Sequence, residues 1–224
     1  MKTDDVLVLL NQFTYSDNEV DVANLVKVLQ ATNKKDTSEK KKYIEICKKD
    51  FSSKIWCQLC VVSKERIISA TRCRDGALLE RYDLSEHIRA MASALEVELK
   101  NKIFNDFNKE IKPFIGRYTA NYDEEYVKML KKGYNRVPAK LLVSKLEFVG
   151  VYNPKGISGD LANYLKPNWN LYSLSDKKSI KNAYDLIDIR NEYDHEKIEF
   201  DDSKFINAKQ LTIKTLTWFI ESMK

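Results

Sequence analysis

The sequence predicts an all-α protein that folds as a helical bundle. Only six glycines and four prolines punctuate 224 residues, far fewer breaks than the many turns of a β-sandwich require. Hydrophobic residues make up 43% of the chain and charged residues 32%, which is enough to bury a sizeable core beneath charged helix faces. We expect a helical domain at residues 76–224, preceded by a helical extension at residues 1–75, with a break at Gly76.

Apolar side chains repeat at helical spacing along much of residues 85–223. Ser85 can cap a long core helix, and its stripe advances in steps of three and four through Ile88, Met91, Ala92, Leu95, Leu99 and Ile103. Further helices are predicted after Val137-Pro138 and from Ser158, the second ending before Pro167. A closing helix is predicted at residues 203–223, where Trp218 lies at the stripe's edge and faces either the core or a partner.

The net charge and the absence of targeting signals indicate the compartment of the protein more than its function. The net charge is +5, which permits binding to a polyanion without requiring it. The Lys-rich residues 33–42 fit a solvated loop or an exposed helix start better than a phosphate-facing surface. The apolar run at residues 6–10 is too short for an export signal or a membrane span. We therefore expect a cytoplasmic protein that contacts no membrane.

The four cysteines are expected to be reduced thiols in that compartment. Structural zinc usually binds two tight pairs of cysteines, whereas Cys57 and Cys60 form one such pair and Cys47 and Cys73 stand alone. The pair also lies in an apolar stretch with helical character. The sequence therefore favours buried cysteines without a ligand, and we expect neither a metal nor a cofactor. A zinc-dependent helical regulator is the least favoured alternative.

The residues that point to chemistry lie in segment 175–198, for which Ser175 is the predicted N-cap. At about 100° per residue, an apolar face runs through Ile180, Ala183, Tyr184 and Ile187 and resumes at Ile198. Between them the same face carries Arg190, Asn191, Asp194 and His195. Burying such groups costs free energy unless partners satisfy them. Either a structural network pairs Arg190 with Asp194 and Asn191 with His195, or a cleft or symmetric subunit contact holds Arg190 and His195 for an anionic ligand.

Residues 190–195, Arg-Asn-Glu-Tyr-Asp-His, resemble the R-x4-6-H motif of HEPN domains. In that superfamily a polar residue commonly follows the arginine, near the end of a bundle of four or five helices. Residues 82–103 resemble the core helix of the Abi-like (abortive infection) branch, and the resemblance extends over about residues 80–220. Lys197 departs from HEPN toxins paired with nucleotidyltransferase antitoxins, which often carry tyrosine there, so modification of that position is not implied.

The resemblance implies a metal-independent endoribonuclease that acts as a toxin or phage-defence effector, with a composite site between two copies of the chain. His195 would move a proton at the ribose 2′-hydroxyl or the leaving oxygen, and Arg190 would stabilise charge on the phosphate. Asn191 would orient His195 or contact the phosphate, and Asp194 would steer Arg190 or set the histidine tautomer. The implied partners are an RNA substrate, a second copy of the chain and a protein or RNA antitoxin. The alternative is a HEPN-like module that binds RNA or protein without cleavage.

Overall fold

The computed structural model describes residues 40–80, 84–195 and 202–224, with the side chains of all of these except 76–80 and 193–195. The chain divides into two compact units between Glu45 and Ile46. Of the first unit, the described part is residues 40–45, which are helical. These residues form the start of helix α1 (residues 40–51), and the packing described below is that of the second unit, Ile46–Lys224.

Helices account for the regular structure of the described ranges, which confirms the predicted all-α class. The α-helices are α1 (residues 40–51), α2 (Ser53–Gln58), α3 (Val61–Glu80), α4 (Ser85–Ala92), α5 (Ala94–Leu99), α6 (Asn105–Ile111), α7 (Asn121–Lys132), α8 (Ala139–Leu146), α9 (Gly156–Leu165), α10 (Leu171–Leu174), α11 (Lys177–His195) and α12 (Asp202–Glu221). A π-helical turn (Lys100–Phe104) joins α5 to α6, and a 3-10 helix (Lys112–Arg117) follows α6. Of these helices, as far as they are described, none is long and apolar enough to cross a bilayer.

Four helical segments surround the core: α3, the α4–α5 segment, α11 and α12. Helix α11 packs against α4 and α12, and α4 also packs against α3 and α12. The predicted stripe of the long helix is confirmed, because its six apolar members are each at most 3% exposed. Of the face predicted for the closing helix, Leu211 is only partly buried. The other members are buried: Phe205, Ala208, Thr212, Thr215, Leu216, Phe219 and Ile220. Each large apolar side chain removed from water in this way contributes about 1.5–3 kcal/mol.

The π-helical turn exists because the apolar residues of the long helix recur more slowly than the α-helical repeat. Leu95, Leu99, Ile103, Phe107 and Ile111 follow one another in steps of four. Four residues of an α-helix turn through about 400°, so the stripe would move around the helix by about 40° at every step. The wider turn at Lys100–Phe104 takes up the accumulated excess, and all five side chains stay at most 5% exposed.

Three helices begin at residues other than the predicted caps. Leu84 occupies the N-cap position of α4, so Ser85 is already inside the helix. Asp176 caps α11, since its Oδ2 accepts the N–H of Ser179 at 2.9 Å, and a carboxylate also interacts favourably with the helix dipole. Ser158 lies inside α9. A backbone N–H in the first turn of α9, that of Ile157, donates to Asp123 Oδ2 of α7 at 3.0 Å.

Gly76 does not break the chain, because α3 continues through it to Glu80. A single glycine costs a helix interior about 1 kcal/mol, and the packing of α3 against α4 and α5 outweighs that cost. The predicted break is therefore wrong, whereas the assignment of residues 1–75 to an extension stays a prediction.

The cysteines differ from one another in burial. Cys47 is buried, and this burial raises the pKa of its thiol. Cys60 and Cys73 are partly exposed and Cys57 is exposed, so the expectation of burial is wrong for Cys57. Among the described residues, no group of three or more His, Cys, Asp or Glu side chains could hold a metal ion.

Trp218 faces the core and not a partner. It is 8% exposed, and its Nε1 donates to the carbonyl oxygen of Ser173 at 2.8 Å. The buried indole N–H therefore has its acceptor inside the chain, as a buried tryptophan requires.

Candidate functional site

Helix α11 is the element that carries the predicted site, and its first three turns are anchored in the core. Ile180, Ala183 and Ile187 are at most 4% exposed, which confirms the apolar face predicted for this segment. Tyr184 is half-buried, and its hydroxyl donates to Glu147 Oε2 at 3.3 Å. Burial, and then the neighbouring Glu147 carboxylate, raise the pKa of Tyr184 to about 12.

Arg190, on the last part of α11, is held by a carboxylate from α5. Its Nη1 donates to Glu96 Oε2 at 2.6 Å, and 29% of its side chain is exposed. The arginine is thus directed towards the protein, as the sequence predicted. This carboxylate lies 94 residues away in the chain.

Arg190 lines a cavity of about 410 Å³ between α3, α4, α5 and α11. Among the described residues, the charged side chains around it are Arg66, Glu86, Arg89, Glu96, Lys100 and Arg190. Four cations therefore face two carboxylates in one concave space. Such an excess of positive charge within a cleft attracts anions, because the protein walls concentrate the electric field there.

Short polar contacts order the cations of this cavity. Lys100 Nζ donates to Glu96 Oε1 at 2.5 Å, so the Glu96 carboxylate bridges Lys100 and Arg190 through its two oxygens. Arg66 Nη1 donates to Ser93 Oγ at 2.5 Å and to the Ser93 carbonyl oxygen at 3.4 Å. The cavity therefore has three hydrogen-bond donors that are held by neighbouring groups: Arg66 on α3, Lys100 in the π-helical turn and Arg190 on α11.

The last turn of α11 extends beyond the core. Asn191 falls close to Ile180 and Ile187 in angle around the helix, at about 100° per residue, yet Asn191 is exposed whereas the two isoleucines are buried. The described residues therefore do not enclose Asn191, and its place in a structural network, a cleft or a subunit contact stays a prediction. The side of α11 that is buried at Ile180 and Ile187 is therefore exposed at Asn191.

Asp194 and His195 belong to the last turn of α11, and their side chains lie outside the described residues. The helix alone relates His195 to Arg190: five residues correspond to about 7.5 Å along the axis and about 140° around it. The pairs Arg190–Asp194 and Asn191–His195, and the inward orientation of Asp194 and His195, stay predictions.

Sequence reasoning missed Glu96, Lys100 and Arg66 as site residues. One signal was present, because Glu96 and Lys100 stand at the i,i+4 spacing that allows a pair on one helix face. The link from Glu96 to Arg190, and the placement of Arg66 beside them, depend on how three helices pack. No local pattern encodes that packing.

Fold and cavity together define an all-α bundle with a cationic pocket suited to an anion. Comparison of the chain with protein-family models, with curated proteins and with solved structures gave no match.

Proposed function

We propose that this chain is a metal-independent endoribonuclease of the HEPN type, acting as a toxin or phage-defence effector, with Arg190 and His195 of two copies forming one site. The observation that supports the proposal best is the place of Arg190. It stands in the wall of the cationic cavity, on the helix whose last turn extends past the core. The cavity offers charge to the RNA backbone, and the open turn offers a surface to a second copy.

The side chains suit RNA cleavage by the 2′-hydroxyl. Arg190 has a permanent charge and a planar fork that can donate paired hydrogen bonds to a phosphate as negative charge develops on it. His195 is the residue type that exchanges a proton near neutral pH, as base for the 2′-hydroxyl or acid for the leaving oxygen. One histidine does not easily serve both sides of the phosphate, so a second copy would supply the other.

The supporting residues have matching roles in this proposal. Asn191, exposed on the open face of α11, would orient His195 or contact the phosphate. Asp194 would influence Arg190 or the tautomer of His195. In the free protein, Glu96 accepts a hydrogen bond from the Arg190 guanidinium at 2.6 Å.

The test is incubation of the purified protein with tRNA in EDTA, followed by analysis of fragment ends. We expect fragments with 2′,3′-cyclic phosphate ends, and we expect His195→Ala to lower the rate by about 10²- to 10⁴-fold because proton transfer is lost. Arg190→Ala should lower it comparably. Arg136→Ala, a matched change at an exposed position outside the cavity, should retain cleavage. Intact RNA with the wild-type chain, or normal cleavage by His195→Ala, would refute the proposal.

A binding module without turnover is the second candidate, and the Glu96–Arg190 pair is the observation in its favour. In this arrangement the arginine bonds a carboxylate, and a cationic cavity can hold RNA without a reaction. This function predicts RNA affinity without cleavage, and Arg190→Ala should lower that affinity.

Under the first proposal, a protein or RNA antitoxin would be a further partner of the chain. Co-purification from the source cell would reveal it.

A further inference from the structure

Glu96 is the carboxylate that bridges two cations of the cavity. Its Oε1 accepts from Lys100 at 2.5 Å and its Oε2 from Arg190 at 2.6 Å. A phosphodiester, like a carboxylate, presents two terminal oxygens that share a single negative charge. Arg190 and Lys100 therefore bind Glu96 in the way that they would bind one phosphate of a nucleic acid.

The ion pairs of Glu96 are open enough to exchange. The side chains are 18% exposed for Glu96, 23% for Lys100 and 29% for Arg190. Water screens pairs at such a position, and the side chains lose conformational freedom to form them, so their net stabilisation is small. An anion that brings additional contacts can replace the carboxylate.

Arg66 supplies such an additional contact. It lines the same cavity from α3, and its Nη1 bonds the hydroxyl and carbonyl oxygens of Ser93, which are both neutral acceptors. A guanidinium has five N–H donors in a planar fork. Arg66 can therefore keep Ser93 and still donate to an anion that reaches Arg190 and Lys100.

We infer, building on the proposed function, that one phosphodiester of the RNA enters this cavity, accepts hydrogen bonds from Arg66, Lys100 and Arg190, and displaces Glu96 from the two cations it bridges. Glu96 then competes with RNA in the free protein. The proposal assigns opposite signs to neighbouring residues: loss of the Arg66 or Lys100 charge weakens RNA binding, and loss of the Glu96 charge strengthens it.

The test measures RNA affinity in a His195→Ala chain, so that the RNA stays intact whether or not the wild-type chain is a nuclease. Fluorescence anisotropy of a labelled single-stranded RNA is followed over a series of KCl concentrations. Arg66→Gln and Lys100→Gln should each lower the affinity by about tenfold and reduce the slope of log K against log salt by about 0.7, the contribution of one phosphate contact on a single strand. Glu96→Gln should raise the affinity several-fold.

Matched changes elsewhere separate a local effect from one of net charge. Arg136→Gln and Glu124→Gln alter the charge by the same amount at exposed positions outside the cavity, and both should leave affinity and slope nearly unchanged. Arg66→Lys keeps the charge without the fork and should fall between wild type and Arg66→Gln, which also covers the case in which Arg66→Gln folds poorly. Circular dichroism checks the fold of every variant.

Three outcomes would overturn the inference. Glu96→Gln could lower the affinity as Arg66→Gln does, which would make Glu96 a residue that positions the cations. The cavity variants could behave like the controls. In a separate arm, inorganic pyrophosphate could bind the cavity while RNA does not. A different result would show that the nuclease proposal fails: RNA would stay uncut by the wild-type chain in EDTA. The RNA affinities could still be measured in that case.

Discussion

Lys145 and Asp123 form the most buried ion pair described in the chain. Lys145 Nζ lies 2.6 Å from Asp123 Oδ1, and their side chains are 7% and 1% exposed. Lys145 also donates to the Tyr122 carbonyl oxygen at 2.8 Å, and Asp123 Oδ2 accepts from Ile157. Each charge thus has several partners, which is the condition under which a charged pair can be buried without a large loss of stability.

Removal of one charge from this pair should destabilise the fold strongly. We expect Lys145→Met to lower the free energy of unfolding by about 3–5 kcal/mol, because the Asp123 carboxylate would stay buried without its cation. Urea unfolding followed by circular dichroism measures the change. Lys140→Met is the matched control, since Lys140 pairs with Asp188 at 63% and 58% exposure and should cost about 0–1 kcal/mol. Similar losses in the two variants would contradict this account of the buried pair.

The spacing of residues in α8 indicates that Lys145 is buried, but it does not identify the partner of Lys145. Lys145 falls on the apolar stripe of α8 with Leu142 and Leu146, which indicates burial, and the structure confirms it. Asp123 stands 22 residues earlier on another helix. Periodicity reports which side of a helix is buried, whereas a partner depends on how helices meet, so residue pairs across helices were not predictable.

At the scale of one helix, Asp176 fixes the start of α11. Its carboxylate accepts the N–H of Ser179, and this backbone hydrogen bond is the largest cause that lowers its pKa. Ser175 stands directly beside it and was the predicted cap. Ser175 instead donates through its hydroxyl to the Leu171 carbonyl oxygen at 2.9 Å, at the end of α10. Ser175 and Asp176 are both suitable N-cap residues, and the sequence alone does not show which of them caps α11. The hydrogen bond of Ser175 to Leu171 leaves Asp176 as the cap.

Loss of this cap should weaken α11 in a pH-dependent way. We expect Asp176→Ala to lower the free energy of unfolding by about 1 kcal/mol near neutral pH. Because the pKa of Asp176 is lower in the folded state, its contribution is present above the unfolded-state pKa and is lost as pH falls through the folded-state pKa. Urea unfolding of both proteins at several pH values checks this. Asp188→Ala, a change at an exposed mid-helix position of α11, should show no comparable loss. A difference that grew at acid pH would contradict the assignment.

At the scale of the molecule, the site that we propose would need a second copy of the chain to complete it. Asn191 is exposed on a face of α11 that is buried further back along the helix, and such a face can meet its own equivalent across a two-fold axis. The α-class and the buried faces followed from the spacing of apolar residues. The cationic cavity did not, because it is built by Arg66, Glu96 and Arg190 from three separate helices.

A dimer through the end of α11 should respond to charge at Asn191. We expect the wild-type chain to sediment with twice the mass of one copy. Asn191→Glu should raise the dimer dissociation constant by at least about tenfold, because two like charges would approach near the axis. Nuclease activity should fall in parallel. Glu124→Lys, at an exposed site on α7, serves as the control. A wild-type chain that is monomeric at every concentration and still cleaves RNA would exclude the composite site.

The π-helical turn at Lys100–Phe104 sets the rotational phase of everything that follows it in the long helix. A regular α-helix with the same number of residues would swing Phe107 and Ile111 by about 100° away from the interior. Lys100, the first residue of the turn, would shift with it. The π-helical turn therefore aligns the interior contacts of α6 and places one cation, Lys100, at the cavity.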